Sequence, residues 1–167
     1  NQAACPLDYF VAPVAAALRA LLGRPGSRRV PDAVCGEVNQ DVPGTAAGRW
    51  FRVGVTSDGP DDPHLALAHD NYDPSRAAFS VGTSVSSLPS GYYSFTPTAA
   101  GLVNLDFPRV TAVGTTYCYT MSAPPGQRRI LLMLVSPSRI RVQGHGSGPC
   151  GDPSSWAFTQ GWAEFER

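Results

Sequence analysis

The sequence predicts a mainly β protein: an antiparallel up-and-down β-barrel of about eight strands with a short N-terminal helical extension, a β-sandwich being the alternative. Three observations carry this. From Gly48 onward, short stretches alternate apolar and polar residues. They recur at near-regular spacing between clusters of Gly, Pro, Asp and Ser. Nothing but turns lies between them, which argues against parallel β-α-β units. A meander is the simplest order for strands joined by turns, and a meander of eight can close without leaving edges.

Residues 1–47 read as a helical and irregular extension, and 48–167 as the barrel. In the extension, "APVAAALRALLG" forms one helix, with Pro13 in its first turn and Gly23 after its end. Val14, Leu18, Leu21 and Leu22 fall on one stripe, which is expected to pack on the main body.

The strands follow in order. "RWFRVGV" sets Trp50 and Arg52 against Phe51, Val53 and Val55. "HLALAHD" places Leu65, Leu67 and His69 on one face, and "RAAFSVG" aligns Ala77, Phe79 and Val81. "GYYSFTPT" alternates Tyr93 and Phe95 with Tyr92 and Ser94. "GLVNLDF" is a short strand ending at Pro108, and "TTYCYTM" lines up Tyr117, Tyr119 and Met121. "RRILLMLV" is unbroken apolar sequence, expected to be covered on both faces. "SRIRVQ" sets Ile140 and Val142 against Arg139 and Arg141. "WAFTQGWAEFE" is the last strand, with a bulge at Gly161.

The totals narrow the class. A chain of 167 residues, 43% hydrophobic, is one domain with room for a core. No apolar run approaches the roughly 18 residues that cross a bilayer. The 17 glycines and 16 prolines favour loops over long helices. Thirteen bases, all arginine, balance thirteen acids and are scattered, so nucleic acid is not the expected partner. Four cysteines make an even set with no C-x-x-C or zinc spacing. Pairing in sequence order gives Cys5–Cys35 and Cys118–Cys150, each worth about 3–4 kcal/mol in the loop-entropy model, with two other connectivities open. Disulfides place the chain in an oxidising compartment, as a secreted or periplasmic protein.

The opening Gly48-Arg49-Trp50 resembles the Gly-X-Trp of the first strand in calycins, the superfamily of lipocalins, fatty-acid-binding proteins and avidins. The resemblance implies a cup-shaped barrel in which Trp50 closes one end. It also implies that Arg139 or Arg141 packs across the tryptophan ring, a contact worth about 0.5–2 kcal/mol.

Candidate chemistry centres on "HLALAHDNYDPSRAAFSVG". Its Asn and Asp residues suit a rigid turn, and Asp70 and Asp73 are the residues a divalent ion would use there. The series Asp70, Tyr72, Pro74 departs from the EF-hand pattern, and Asp58, Asp61 and Asp62 lie at the other end of the strand. His69 shares a face with the core leucines, where it reads as a hydrogen-bonded core residue or a polar ligand contact. Walker A and S-x-x-K need a lysine, and H-E-x-x-H is missing. His64 and His145 have no partner in sequence.

The expected function is therefore that of a cofactor-free binding protein. It would hold a small apolar or amphipathic ligand inside the barrel, contacted by His69, Tyr93, Phe95, Tyr117 and Tyr119. A small barrel enzyme is the second reading: an isomerase, cyclase or hydrolase pairing His69 with a nearby carboxylate. The third is a non-catalytic module binding a protein or sugar, marked by a solid interior and an exposed aromatic patch.

Overall fold

The computed structural model describes residues 5–24, 27–28, 40–55, 63–121 and 128–167. Its body is one antiparallel sheet of eight strands: β1 Gly48–Arg52, β2 Leu65–His69, β3 Ala77–Val81, β4 Gly91–Phe95, β5 Thr116–Thr120, β6 Arg128–Ser136, β7 Arg139–Ser147 and β8 Ala163–Glu166. The spatial order is β4-β3-β2-β1-β8-β7-β6-β5. This is a meander whose first and last strands pair, with Phe165 opposite Arg52. The barrel is nearly closed, and its seam falls between β4 and β5.

An irregular segment occupies that seam. "GLVNLDF" is not a strand. Gly101 and Asn104 adopt positive φ, which breaks the extended run into isolated parallel bridges, Thr98 with Leu105 and Val103 with Cys118. The side chain of Asn104 then accepts the Thr120 N–H at 2.8 Å, satisfying part of the free edge of β5. The last strand is also shorter than its sequence pattern: Gly161 makes a turn at φ 90° in place of a bulge, and Trp156 lies outside the sheet.

Period-two alternation fixes which side chains enter the barrel. Trp50, Leu67, Phe79, Phe95, Phe107, Tyr119, Ile130, Leu132, Leu134 and Phe165 are fully buried in one core. Four rings form its centre: Phe79 touches Phe107 and Tyr119 with centroids 5.0 and 4.9 Å apart, and Phe95 touches the same two at 5.2 and 4.9 Å. These edge-on contacts suit the ring quadrupoles.

Both ends are plugged. The loop after β3 buries Val85 and Leu88. Beside them, Ser87 accepts the Gly144 N–H at 2.9 Å and donates to the Gly161 carbonyl at 2.8 Å. A Cβ on Gly144 would meet the Ser87 carbonyl oxygen at 2.4 Å, so only glycine allows this approach. At the other end Ala46, Ala47 and Val110 are buried near Trp50, and the Ala46 N–H donates to the Val110 carbonyl at 3.1 Å. The glycine of Gly48-Arg49-Trp50 is required there: its φ is +127°, and a Cβ would overlap the Asp41 carboxylate, which accepts the Arg49 N–H at 2.6 Å.

The cation over Trp50 is Arg167, 4.0 Å from the ring, and not Arg139 or Arg141. The reason is alternation. Ile140 and Val142 point inward, so the two arginines between and beside them point out, where they meet Glu166 and Glu164 directly across the strand pair. Arg167 donates to the Ala47 and Thr45 carbonyls, and Trp50 donates to the Ala46 carbonyl at 2.9 Å. Burial draws the Arg167 pKa below its usual value, while Asp41 acts in the opposite direction.

Strand β6 is covered on both faces at its middle, while Met133 and Val135 on the outer side are half-buried. Ile130, Leu132 and Leu134 face the core, and Leu131 packs outward in a second cluster with Cys118, Cys150 and Trp156. Cys118 and Cys150 are bonded, which straps residues 150–158 across the outside of β5 and β6. The expected partner of Cys5 is Cys35, which lies outside the described residues, as do Asp58, Asp61 and Asp62. Helix α1 spans Ala12–Ala20. It buries only Ala15, and the stripe expected to pack on the body is exposed at Val14 and Leu21.

Candidate functional site

Of the residues expected to contact an interior ligand, Phe95, Tyr117 and Tyr119 are buried core members. Phe95 and Tyr119 stand edge-on to each other with centroids 4.9 Å apart, and Phe79 lies the same distance from Tyr119. The Tyr119 hydroxyl donates to the Leu105 carbonyl at 2.9 Å. Burial pushes its pKa well above the usual phenol value, with Tyr117 and Asp106 adding to the shift. Tyr93 is half-buried, and its hydroxyl donates to the Pro89 carbonyl at 2.6 Å. Burial also raises its pKa, against the pull of Arg128.

His69 ends β2 and does meet a carboxylate. Its Nε2 lies 2.7 Å from Asp106 Oδ1, and its Nδ1 lies 2.7 Å from the Pro74 carbonyl. Gln40 brackets the same residue, accepting its N–H at 2.6 Å and donating to its carbonyl at 3.1 Å. A carboxylate and a carbonyl are both acceptors, so each ring nitrogen is turned to a protein oxygen. The arrangement ties the turn after β2 to the seam segment, and the partly exposed His69 ring also lines a groove over Ala68 and Asp70.

Asp70 and Asp73 build the turn. Asp70 Oδ1 accepts the Tyr72 N–H at 2.6 Å, and Asp73 Oδ1 accepts the Ser75 N–H at 3.0 Å. These are Asx-turn bonds, in which the carboxylates serve the backbone. Asp70 Oδ2 accepts the Tyr92 hydroxyl at 2.5 Å and so fixes that ring beside the turn.

The feature that sequence reasoning missed lies on the outer face of β1–β4. Register places Arg49 opposite Ala66, Ala66 opposite Ser80, and Ser80 opposite Tyr92, one row across four strands. The neighbouring row sets Ala68 opposite Ala78. Outward positions of a solvent-facing sheet ordinarily carry longer polar or β-branched side chains. Here small side chains leave two adjoining grooves that share Ala66 and Ser80. One, about 580 Å³, reaches Arg49, Phe51 and His64. The other, about 480 Å³, reaches Asp70, Asn71, Tyr72 and Tyr92. Together they form a trough three strand spacings long, roughly 14 Å. The alternate residues of "LALAH" and "AAFS" carried the signal, since their outward letters are Ala, Ala, Ala and Ser.

At one end of the trough His64 stands edge-on to Phe51, with centroids 5.1 Å apart. Its Nδ1 accepts the Arg52 N–H at 3.2 Å, which puts the ring proton on Nε2. That Nε2 is buried and has no hydrogen-bond partner. At the other end Tyr92 and Tyr72 are exposed. The trough therefore offers a flat apolar floor, aromatic walls, and hydroxyl, amide and carboxylate groups at its rim. The chain matches no protein-family model, curated protein or solved structure.

Proposed function

We propose that this chain is an exported, non-catalytic recognition module that holds a carbohydrate-class ligand in the trough on the outer face of β1–β4. The observation that carries the reading is the Arg49–Ala66–Ser80–Tyr92 row, small in the middle and bounded by an aromatic ring. A sugar ring has an apolar face that lies against an aromatic side chain and hydroxyls that both donate and accept. The rim answers with Ser80, Asp70 and Asn71, and a trough of this length accepts a short oligosaccharide. The Cys118–Cys150 bond suits work outside a reducing compartment. The engagement of both His69 ring nitrogens by protein oxygens favours binding over acid–base catalysis, and the ring-filled centre favours an outer site over an interior one.

Backbone amide NMR during titration with a panel of neutral and acidic oligosaccharides tests this. The expected result is shifts at Ala66, Ser80 and Tyr92 with none at Phe95 or Tyr119, and at least a tenfold weaker association for Tyr92→Ala, on the order of one lost aromatic contact. Shifts confined to the core aromatics on adding a fatty acid or another apolar molecule would instead establish the interior site. Silence across the sugar panel would sink the proposal.

A further inference from the structure

The N-terminal segment presents apolar side chains that the barrel does not cover. Tyr9, Phe10, Val11, Val14 and Leu21 are exposed by 80, 49, 69, 42 and 80%. Val11, Val14, Leu18 and Leu21 recur at i, i+3, i+7 and i+10, so on α1 and its flanks they form one stripe. Ala15, beside that stripe, is the residue the helix buries. Exposed apolar residues scattered singly need no partner, but a contiguous run does.

Charge points to what covers it. Between Asp8 and Asp32 the sequence carries Arg19, Arg24, Arg28 and Arg29 and no acid. Arg19 is exposed in the last turn of α1, next in sequence to Leu18. A second copy of the chain would bring two such acid-free stripes together and set like charges against each other. An anionic lipid surface meets both demands, taking the apolar stripe below the headgroups while phosphates meet Arg19 and the segment's excess of positive charge. Tyr9 and Phe10, at the start of the stripe, are aromatic, and Tyr9 is of the amphipathic kind that settles at a membrane–water boundary.

We infer that the Tyr9–Leu21 segment is a surface anchor that lays its apolar stripe on an anionic lipid bilayer without crossing it. This is separate from the trough, which lies on the barrel wall.

Co-sedimentation of the full chain with vesicles tests the inference, using phosphatidylcholine alone and phosphatidylcholine mixed with phosphatidylglycerol. Binding is expected on the mixed vesicles, several-fold weaker on the neutral ones, and reduced in high salt. Leu21→Glu should lower the partition coefficient more than about tenfold, and Arg19→Glu by about fivefold on the mixed vesicles with little change on the neutral ones. Both positions are exposed, and an unchanged near-UV spectrum shows that the barrel is intact. Equal binding to the two vesicle types, or binding to neither, would overturn the inference. So would a concentration-dependent dimer in light scattering that Leu21→Glu dissolves, because a second copy would then be the cover.

Discussion

The two walls of this barrel share a core and differ in what lies outside it. On the β5–β8 wall the outer face is occupied by the chain itself. Leu131 is roofed by the Cys118–Cys150 strap and Trp156, Arg141 lies 4.3 Å from the Trp162 ring and pairs with Glu164, and Arg139 pairs with Glu166. On the β1–β4 wall the outward residues of the two middle strands are small, and no strap crosses them among the described residues. A barrel gains most of its stability from its inner layer, so it tolerates one outer face being left bare. The covered wall is where the outer surface adds stability. The bare wall is where a binding surface costs the fold least.

The comparison can be tested from the inside outward. Inner positions of the two walls should be equivalent. Phe79→Ala, on the bare wall, is expected to cost about 3–5 kcal/mol and Leu132→Ala, on the covered one, about 2–5 kcal/mol in urea unfolding, because each empties a fully buried site. A bare-wall core mutant that lost much less would mean that this half of the barrel is loosely packed.

Removing the strap's covalent tie should distinguish the walls. Cys118→Ala with Cys150→Ala opens a bond spanning 32 residues and is expected to cost about 3–4 kcal/mol, while amide shifts induced in the trough by ligand stay unchanged. Loss of ligand response together with stability would show that the walls are coupled.

The junction of core and seam should respond to alkali. The buried Tyr119 phenol has its pKa raised in the folded state, so above the ordinary value of 10.0 the unfolded chain releases a proton that the folded one retains. Its contribution is fully present below that pH and is lost as pH rises, by up to about 1.4 kcal/mol per unit until the folded phenol itself ionises. Unfolding midpoints of the native chain and Tyr119→Phe, followed between neutral pH and the alkaline limit, should diverge, with the native chain falling faster.

The smallest effect on stability belongs to the bare outer face. Ala66→Arg fills the middle of the trough from a solvent-facing position. It should change stability by less than about 0.5 kcal/mol while abolishing ligand-induced shifts.

Much of this fold is legible in the sequence, because alternation is a local signal that burial then enforces. The inward sets Leu65–Leu67, Ala77–Phe79–Val81, Tyr117–Tyr119–Met121 and Ile140–Val142 all read correctly, as did the double coverage at the middle of β6. Long-range closure was less legible. Nothing local to Arg167 marks it as the cation over Trp50, since that contact depends on β8 returning beside β1. The seam segment misread as a strand because its apolar residues alternate, while Asn104 takes a positive φ that an asparagine tolerates but does not announce. The site divided in the same way. His69 and Asp106 are both visible as residues, and their meeting is not. The trough is defined by what its positions lack, and a search for reactive groups passes over alanine.

Pairing the first barrel strand with the last also sets a schedule for biogenesis. Gly48–Arg52 emerges early from a ribosome, and its partner Ala163–Glu166 emerges more than a hundred residues later, so the cylinder stays open through most of synthesis. Contacts this far apart in sequence form slowly, and until they do the aromatic centre is accessible to chaperones. Strand order alone thus delays closure of the cylinder until Ala163–Glu166 has been made.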